Sequence, residues 1–240
     1  ENLKIQTNII ENSWRFNVNR FLFLGSSCIY PKFSKQPIKE EYLLTSSLER
    51  TNQWYAIAKI AGLKLCQALR KQYGFDAISL MPTNLYGPGD NYHPTQSHVL
   101  PSFIRRFTEA VFNQDDTIQC WGSGSPKREF LHVDDLGDAT VFALENFDPN
   151  ASDLLLDEDG EIINYLNVGT GIDLTIKELS EKVAQYTGFR GKVIWDSSKP
   201  DGTPQKKLDI SRIKTLGWRP KIGIDSGIKS TINIYKSQIK

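Results

Sequence analysis

The chain has 240 residues, 39% of them hydrophobic and 24% charged, with a formal net charge of +1. That length supports one large domain or two small ones, and the composition is that of an ordinary soluble globular protein. Positive and negative residues are mixed, so no basic block argues for nucleic acid, and no apolar run is long enough to span a bilayer. The chain opens on Glu1 rather than Met, inside a segment that reads as a helix from Asn2 to Asn12, as if entered in mid-fold, and nothing there has the form of a signal peptide. Arg20 to Gly25 reads as a short strand buried on both faces, and the Pro-rich stretch from Pro31 to Arg50 as loop. Thr51 or Asn52 caps a long helix to Tyr73 that stops at Gly74, with Ile57, Ile60, Ala61, Leu65, Ala68 and Leu69 as its buried face. Ala77 to Met81 is a second strand, stopped by Pro82, and Tyr86 to Gln96 is a loop. Helices follow at Ser97 to Phe112 and Val133 to Asn146, then an acidic loop from Asp148 to Gly160 and a third strand from Ile162 to Val168. Thr175 and Glu178 form a capping box for a helix that ends near Gly188. Lys192 to Trp195 is a short strand, and a last helix starts at about Asp225.

Strands alternating with helices imply a doubly wound, parallel-sheet α/β core. Cys28, Cys66 and Cys120 are odd in number and widely spaced, which argues against a disulfide framework and suits a reducing cytoplasm. His93, His98 and His132 make no zinc spacing with them, so no metal is expected. The G-x-G pairs at Gly87, Gly122 and Gly169 lack the third glycine of a dinucleotide fingerprint and read as turns.

Tyr55-Ala-Ile-Ala-Lys59 puts a phenol and an ammonium on one helix face. A free tyrosine titrates at about 10, and a nearby cation lowers that value towards usable acid–base chemistry. Tyr-x-x-x-Lys alone describes a solvated surface pair equally well. Gly25-Ser26-Ser27-Cys28 just past a strand's C-terminal end supplies the context, because α/β sheets bind ligands there. A serine at that place suits a hydrogen bond to the oxygen that the tyrosine protonates.

Together these segments resemble the extended branch of the short-chain dehydrogenase/reductases. Within that branch they resemble the GDP-L-fucose synthase family. The resemblance rests on Leu24-Gly-Ser-Ser-Cys-Ile-Tyr-Pro-Lys32, the Tyr55 to Gly62 segment and Met81-Pro-Thr-Asn-Leu-Tyr-Gly-Pro88. It continues through Asn91-Tyr-His-Pro, Ser97-His-Val, Trp121-Gly-Ser-Gly, the Arg128 to Asp135 segment, Asn167-Val-Gly-Thr-Gly171 and Lys199-Pro-Asp-Gly-Thr-Pro204. It covers essentially the whole chain, and the Ser-Ser-Cys segment is its most specific part.

The resemblance implies an NADP-dependent epimerase-reductase: GDP-4-keto-6-deoxy-D-mannose is epimerised at C3 and C5, then reduced at C4 with hydride from NADPH. It implies Tyr55 as proton donor to the C4 oxygen, Ser26 as that oxygen's hydrogen-bond partner and Lys59 as ligand of the nicotinamide ribose. Cys28 and His98 match the family's epimerisation pair, and free thiol and imidazole pKa values of about 8.5 and 6.5 suit that role. Read without the family, Cys28 is a small buried hydrophobe and His98 the satisfied start of a helix. Leu24, Gly25, Ser26 and Ser27 match segments lining the nicotinamide end of the cofactor, with Pro82, Thr83, Asn84, Leu85 and His98. Arg106, Arg128 and Lys206 match cations near the substrate diphosphate, where an arginine fork suits phosphate, although each also reads as a surface charge. Trp121 and Asp201 match substrate-contacting residues, Trp121 being open to a reading as plain core.

The implied layout is a Rossmann-like NADP-binding part at 1–90 plus 129–172 and a smaller substrate domain at 91–128 plus 173–240. Relative to the family the chain lacks the first strands and their glycine-rich turn, so it is expected to be N-terminally truncated. The helices from Asn2 and from Asn52 match those of the family's dimer interface, which implies a homodimer. Two rival readings stay open: another nucleotide-sugar epimerase or dehydratase of the branch, and a truncated module that folds and dimerises without redox activity.

Overall fold

The computed structural model describes residues 1–151, 156–157 and 160–239. In chain order the elements begin with α1 (Asn2–Arg15), β1 (Phe21–Leu24), α2 (Gln53–Tyr73), β2 (Ala77–Pro82) and β3 (Asn84–Tyr86). They continue with α3 (Val99–Asn113), β4 (Thr117–Trp121), β5 (Lys127–His132), α4 (Val133–Asn146), β6 (Tyr165–Val168) and β7 (Asp173–Thr175). The last are α5 (Ile176–Thr187), β8 (Lys192–Asp196), β9 (Gln205–Lys206), α6 (Ser211–Thr215) and α7 (Ile224–Gln238). The fold is the expected parallel-sheet α/β class.

Two compact units emerge. The first comprises Glu1–Thr83, Leu136–Gly171 and Lys207–Arg219; the second comprises Asn84–Asp135, Ile172–Lys206 and Pro220–Lys240. The segment Lys207–Arg219 therefore packs with the first unit, although the sequence assigns it to the substrate domain. Its reason is local: the Ile38 N–H donates to the Lys207 carbonyl and the Asp209 N–H to the Ile38 carbonyl.

In the first unit three parallel strands run in the order β1-β2-β6. All six residues of β2 are buried, as an apolar run between two parallel neighbours should be. The sequence reading of β1 as buried on both faces does not hold. Only Phe23 is buried, Phe21 and Leu22 are half-covered and Leu24 is 40% exposed, unlike the fully buried β6 at the other edge of the same sheet. Helix α2 ends on Gly74, whose φ of 70° is the left-handed conformation that lets the chain turn out of a helix. Its start differs from expectation: Asn52 makes no side-chain cap, and the Glu49 carboxylate instead accepts the backbone N–H groups of Thr51 and Asn52. Its buried face is also rotated. Ala56, Ile60, Leu63, Cys66 and Leu69 are buried, whereas Ile57 and Ala68 are exposed.

The second unit holds a four-stranded sheet in which β5 pairs β3 and β9 in parallel and β7 antiparallel, and a separate parallel pair of β4 and β8. Strands β3, β4, β7 and β9 are too brief to register as a period in the sequence, and β5, although six residues long, opens on the charged Lys127, Arg128 and Glu129 and lacks an apolar run. A core around Phe103, Phe107, Leu179, Phe189 and Ile228 joins α3, α5 and α7. Helix α5 begins with the expected capping box: the Thr175 hydroxyl accepts from the Glu178 N–H, and the Glu178 carboxylate accepts from the Thr175 N–H. Gly87, Gly89, Gly122, Gly124 and Gly171 all have positive φ, consistent with turns rather than a dinucleotide loop. The acidic loop from Asp148 to Gly160 lies partly outside the described residues.

Candidate functional site

The first unit carries Ser26, Cys28, Tyr55 and Lys59 on one strand end and one helix face. The Gly25 N–H makes a last bond to β2, donating to the Leu80 carbonyl at 2.9 Å, and the chain then leaves the sheet in a single 3-10 turn at Ser27–Ile29. A side chain at Gly25 would crowd that turn: a Cβ there would lie 2.4 Å from the Met81 sulfur, and the Met81 tip would have to shift. Ser26 caps the turn, its hydroxyl accepting from the Cys28 N–H at 3.1 Å. The same hydroxyl is close enough to the Tyr55 phenol to pull its pKa down. Cys28 is half-buried and close enough to Tyr55 for its charge to act on the phenol.

The Lys59 ammonium donates to the Leu24 carbonyl at 2.8 Å and stands 5.0 Å from the Phe23 ring centre and 5.9 Å from that of Tyr55. Burial lowers its pKa. The expected cation effect on the phenol does not appear. Burial raises the Tyr55 pKa, the Ser26 hydroxyl pulls it down, and the neighbouring Cys28 charge pushes it up. Lys59 is committed to the strand end and the ring faces, so the modest downward influence comes from the serine.

The donor set fits a nicotinamide riboside. An ammonium has three donors, of which the Leu24 carbonyl takes one, and two hydroxyls stand beside it at a parallel strand's C-terminal end. Pro82 and Thr83 are buried, with Pro82 continuing β2 one residue past the expected stop and the Thr83 N–H bonded to Val168. Ser27 is buried as well, so these three contribute shape more than exposed contact.

The remaining candidates belong to the second unit. Leu85 is half-covered on β3, and the Asn84 side-chain amide donates to the Glu129 carbonyl at 2.8 Å. His98 is exposed and stands at the start of α3 without making a side-chain cap, and its charge lowers the neighbouring Asp90 carboxyl, whose own burial acts the other way and more strongly. Arg128 and Lys206 are register partners on β5 and β9, which sets two cations side by side. Arg106 is directed elsewhere: its guanidinium donates to the Gln119 carbonyl, and its charge pulls the Cys120 pKa down against the stronger effect of burial. Trp121 is 74% exposed, with the Lys199 ammonium 5.7 Å from its ring centre, so the core reading of this residue is corrected. Asp201 accepts from the Ser123 N–H and hydroxyl, both at 2.7 Å, and these bonds depress its pKa.

The sequence analysis missed a buried polar cluster beside the Cys28 turn. It comprises Tyr30, Glu40, Asn167 and Arg212, of which Tyr30 and Asn167 lay inside segments already noted for the family resemblance.

Residues 1–163 match the NAD dependent epimerase/dehydratase family. "Putative GDP-L-fucose synthase 2" of Arabidopsis thaliana is 53% identical over 238 residues, covering 99% of this chain and 69% of that protein. Among solved structures, a GDP-6-OMe-4-keto-L-xylo-heptose reductase from Campylobacter jejuni superposes with a TM-score of 0.91 at 35% identity, over 99% of this chain and 76% of that one. The C. jejuni GDP-mannoheptose C4 reductase MlghC, solved with NADP bound, gives 0.83 at 34% identity over 98% and 75%. The chain belongs to the NAD dependent epimerase/dehydratase family. It is an enzyme of the epimerase-reductase kind, and within that class it belongs to the GDP-L-fucose synthases.

Proposed function

We propose that the chain converts GDP-4-keto-6-deoxy-D-mannose to GDP-L-fucose, by epimerisation at C3 and C5 and NADPH-dependent reduction at C4. The observation that carries this reading is the grouping of Ser26 and Cys28 on one turn at the strand end with Tyr55, whose phenol both influence, and Lys59 one helical turn along, bonded to that strand end. When bound, NADPH supplies the hydride. The C4 ketone acidifies the C–H bonds at C3 and C5, and Cys28 and His98 remove and return those protons. Tyr55 gives its phenolic proton to the C4 oxygen as that oxygen gains charge, and the Ser26 hydroxyl donates a hydrogen bond to the same oxygen. Lys59 holds the nicotinamide ribose. The raised phenol pKa suits an acid that must arrive protonated at neutral pH.

Arg128 and Lys206, paired in register, hold the diphosphate of the GDP moiety. Trp121 and Asp201 contact the substrate, whereas Arg106, turned onto the β4 backbone, takes no part in holding the diphosphate. A cytoplasmic setting is part of this reading, since three widely spaced cysteines offer no disulfide framework. No described helix is long and apolar enough to cross a membrane. The protein acts as a homodimer joined through α1 and α2, a reading supported by apolar side chains those helices leave exposed: Leu3, Ile5 and Ile9 on one, Trp54 and Ile57 on the other.

The test incubates the intact enzyme with the GDP-4-keto sugar and NADPH and follows absorbance and product together. GDP-L-fucose should form mole for mole with NADPH oxidised. A reduced product that keeps the starting configuration at C3 and C5 would refute the epimerase half, and no NADPH consumption would refute the reductase half.

A further inference from the structure

The Cys28 turn is held from two sides. Upstream, the Gly25 N–H is bonded to Leu80 and the Leu24 carbonyl to Lys59. Downstream, Tyr30 leaves the turn with extended backbone and a side chain only 4% exposed, and its phenol donates to Asn167 Oδ1 at 2.6 Å.

Asn167 is fully buried on β6, and its orientation is fixed by chemistry. Its Nδ2 donates to the Ile38 carbonyl at 2.9 Å and the Asp209 carbonyl at 3.2 Å. Both amide hydrogens are therefore spent, and Oδ1 must face the phenol. The Asn167 backbone N–H donates to Glu40 Oε1 at 2.9 Å, and the second Glu40 oxygen accepts from Arg212 at 2.6 Å. Glu40 is itself 2% exposed. A buried chain of satisfied partners thus runs from Arg212 to the residue two positions after the thiol. Such networks hold one geometry, because breaking any link strands a buried polar atom. Burial also raises the Tyr30 pKa well above its ordinary value, which keeps the phenol a donor.

We propose that Tyr30 and Asn167 are a positioning pair for the Cys28 thiol, setting the rate of proton exchange at the sugar carbons but not that of hydride transfer at C4. The proposal rests on the function proposed above. The asymmetry follows from the anchors. Tyr55 and Lys59 stand on α2, and Ser26 is one residue from the Gly25–Leu80 bond. Cys28 lies nearer the Tyr30 end, so a loosened phenol displaces the thiol first.

The test compares Tyr30→Phe with the unaltered intact enzyme. Exchange is read as deuterium from D2O entering the GDP-4-keto sugar without reductant. Hydride transfer is read separately as NADP+ reduction by GDP-L-fucose, a step that needs no epimerisation. Tyr30→Phe should lower exchange about tenfold relative to hydride transfer. It should also change the iodoacetamide alkylation rate of Cys28 several-fold, mapped by peptide mass. Tyr165→Phe, which removes a buried bond to the Glu40 backbone carbonyl but none on the path from Arg212 through the Glu40 carboxylate and Asn167 to Tyr30, should leave the exchange-to-hydride ratio unchanged. Equal falls in both rates, or no change in either, would overturn the proposal. If the unaltered enzyme neither exchanges nor transfers hydride, the proposed function fails, and the alkylation comparison alone then decides whether Tyr30 positions Cys28.

Discussion

Two turns carry the candidate chemistry, and they are held in opposite ways. The turn at residues 26–30 is fixed in the first unit by a buried bond from a phenol to an asparagine and a backbone N–H to β2, with an exposed lysine bonded to the strand carbonyl before it. The turn at residues 122–125 in the second unit is fixed by exposed Asp201, whose carboxylate takes both the N–H and the hydroxyl of Ser123. Gly122 is pressed against that carboxylate so closely that a Cβ would lie 2.4 Å from Oδ1. Buried anchors suit a site that must place proton donors to a fraction of an ångström. A solvated carboxylate gives a hold that water competes with, which suits a loop meeting a large polar substrate.

The first way to break this comparison is to remove the phenol the buried turn serves. Tyr55→Phe should lower ketone reduction by roughly a hundred- to ten-thousandfold, the range for loss of a general acid. Full rate in an NADPH oxidation assay would show that the proton comes from elsewhere. Ser26→Ala should act less, about tenfold, with a diagnostic pH signature. Burial already holds the Tyr55 pKa above its ordinary value, and the serine hydroxyl pulls against it. Without that hydroxyl the phenol titrates higher still and stays protonated to more alkaline pH. The alkaline limb of kcat/KM for reduction should therefore move up; a limb that stays put or moves down would mean the two hydroxyls do not act on each other.

Much of the first unit was legible in the sequence, because its signals are local. A run of apolar residues ending in Gly-Ser-Ser and a helix bearing Tyr-x-x-x-Lys each declare themselves within a few residues. What was not legible depends on partners far along the chain. Tyr30 meets Asn167 across 137 positions and Glu40 meets Arg212 across 172, so no spacing rule connects them. The cation effect of Lys59 failed for the same reason: one-face geometry gave nearness, but the Leu24 carbonyl, 35 positions away, took the ammonium. The α2 pattern placed Ile57 inside because apolar character alone does not separate a core from a surface left for another chain. Ile5→Glu with Ile57→Glu should reduce the mass by light scattering to that of one chain, if the exposed stripe is the dimer contact.

The exposed turn is the easier one to loosen. Asp201→Asn keeps the shape but removes the charge, weakening two hydrogen bonds. The expected result is a KM for the GDP-sugar raised about three- to tenfold with kcat little changed, as for a residue that orders a binding loop. A fall in kcat at unchanged KM would place this turn with the reacting atoms and erase the contrast.

The smallest effect tests whether that turn has a second anchor. The Lys177 N–H, in the first turn of α5, donates to the Gly124 carbonyl at 2.9 Å, and the Ile176 N–H to the Pro126 carbonyl at 3.0 Å. The capping box of Thr175 and Glu178 thus orders the helix end on which the turn rests. Thr175→Ala should cost about 1 kcal/mol of stability, the usual loss for an N-cap, with at most a twofold rise in KM. Acid decides the mechanism. The Thr175 N–H and hydroxyl both depress the Glu178 pKa; alanine keeps the N–H, so only the hydroxyl's share is lost, and that share is complete above the ordinary carboxylate value of about 4.3 and disappears as pH falls through the lower folded one. The gap between the two proteins in denaturant titrations should therefore be constant at neutral pH and shrink below about pH 4. A gap that persists unchanged into acid would assign the loss to the hydroxyl's bond from the Glu178 N–H alone and leave Asp201 as the turn's principal support.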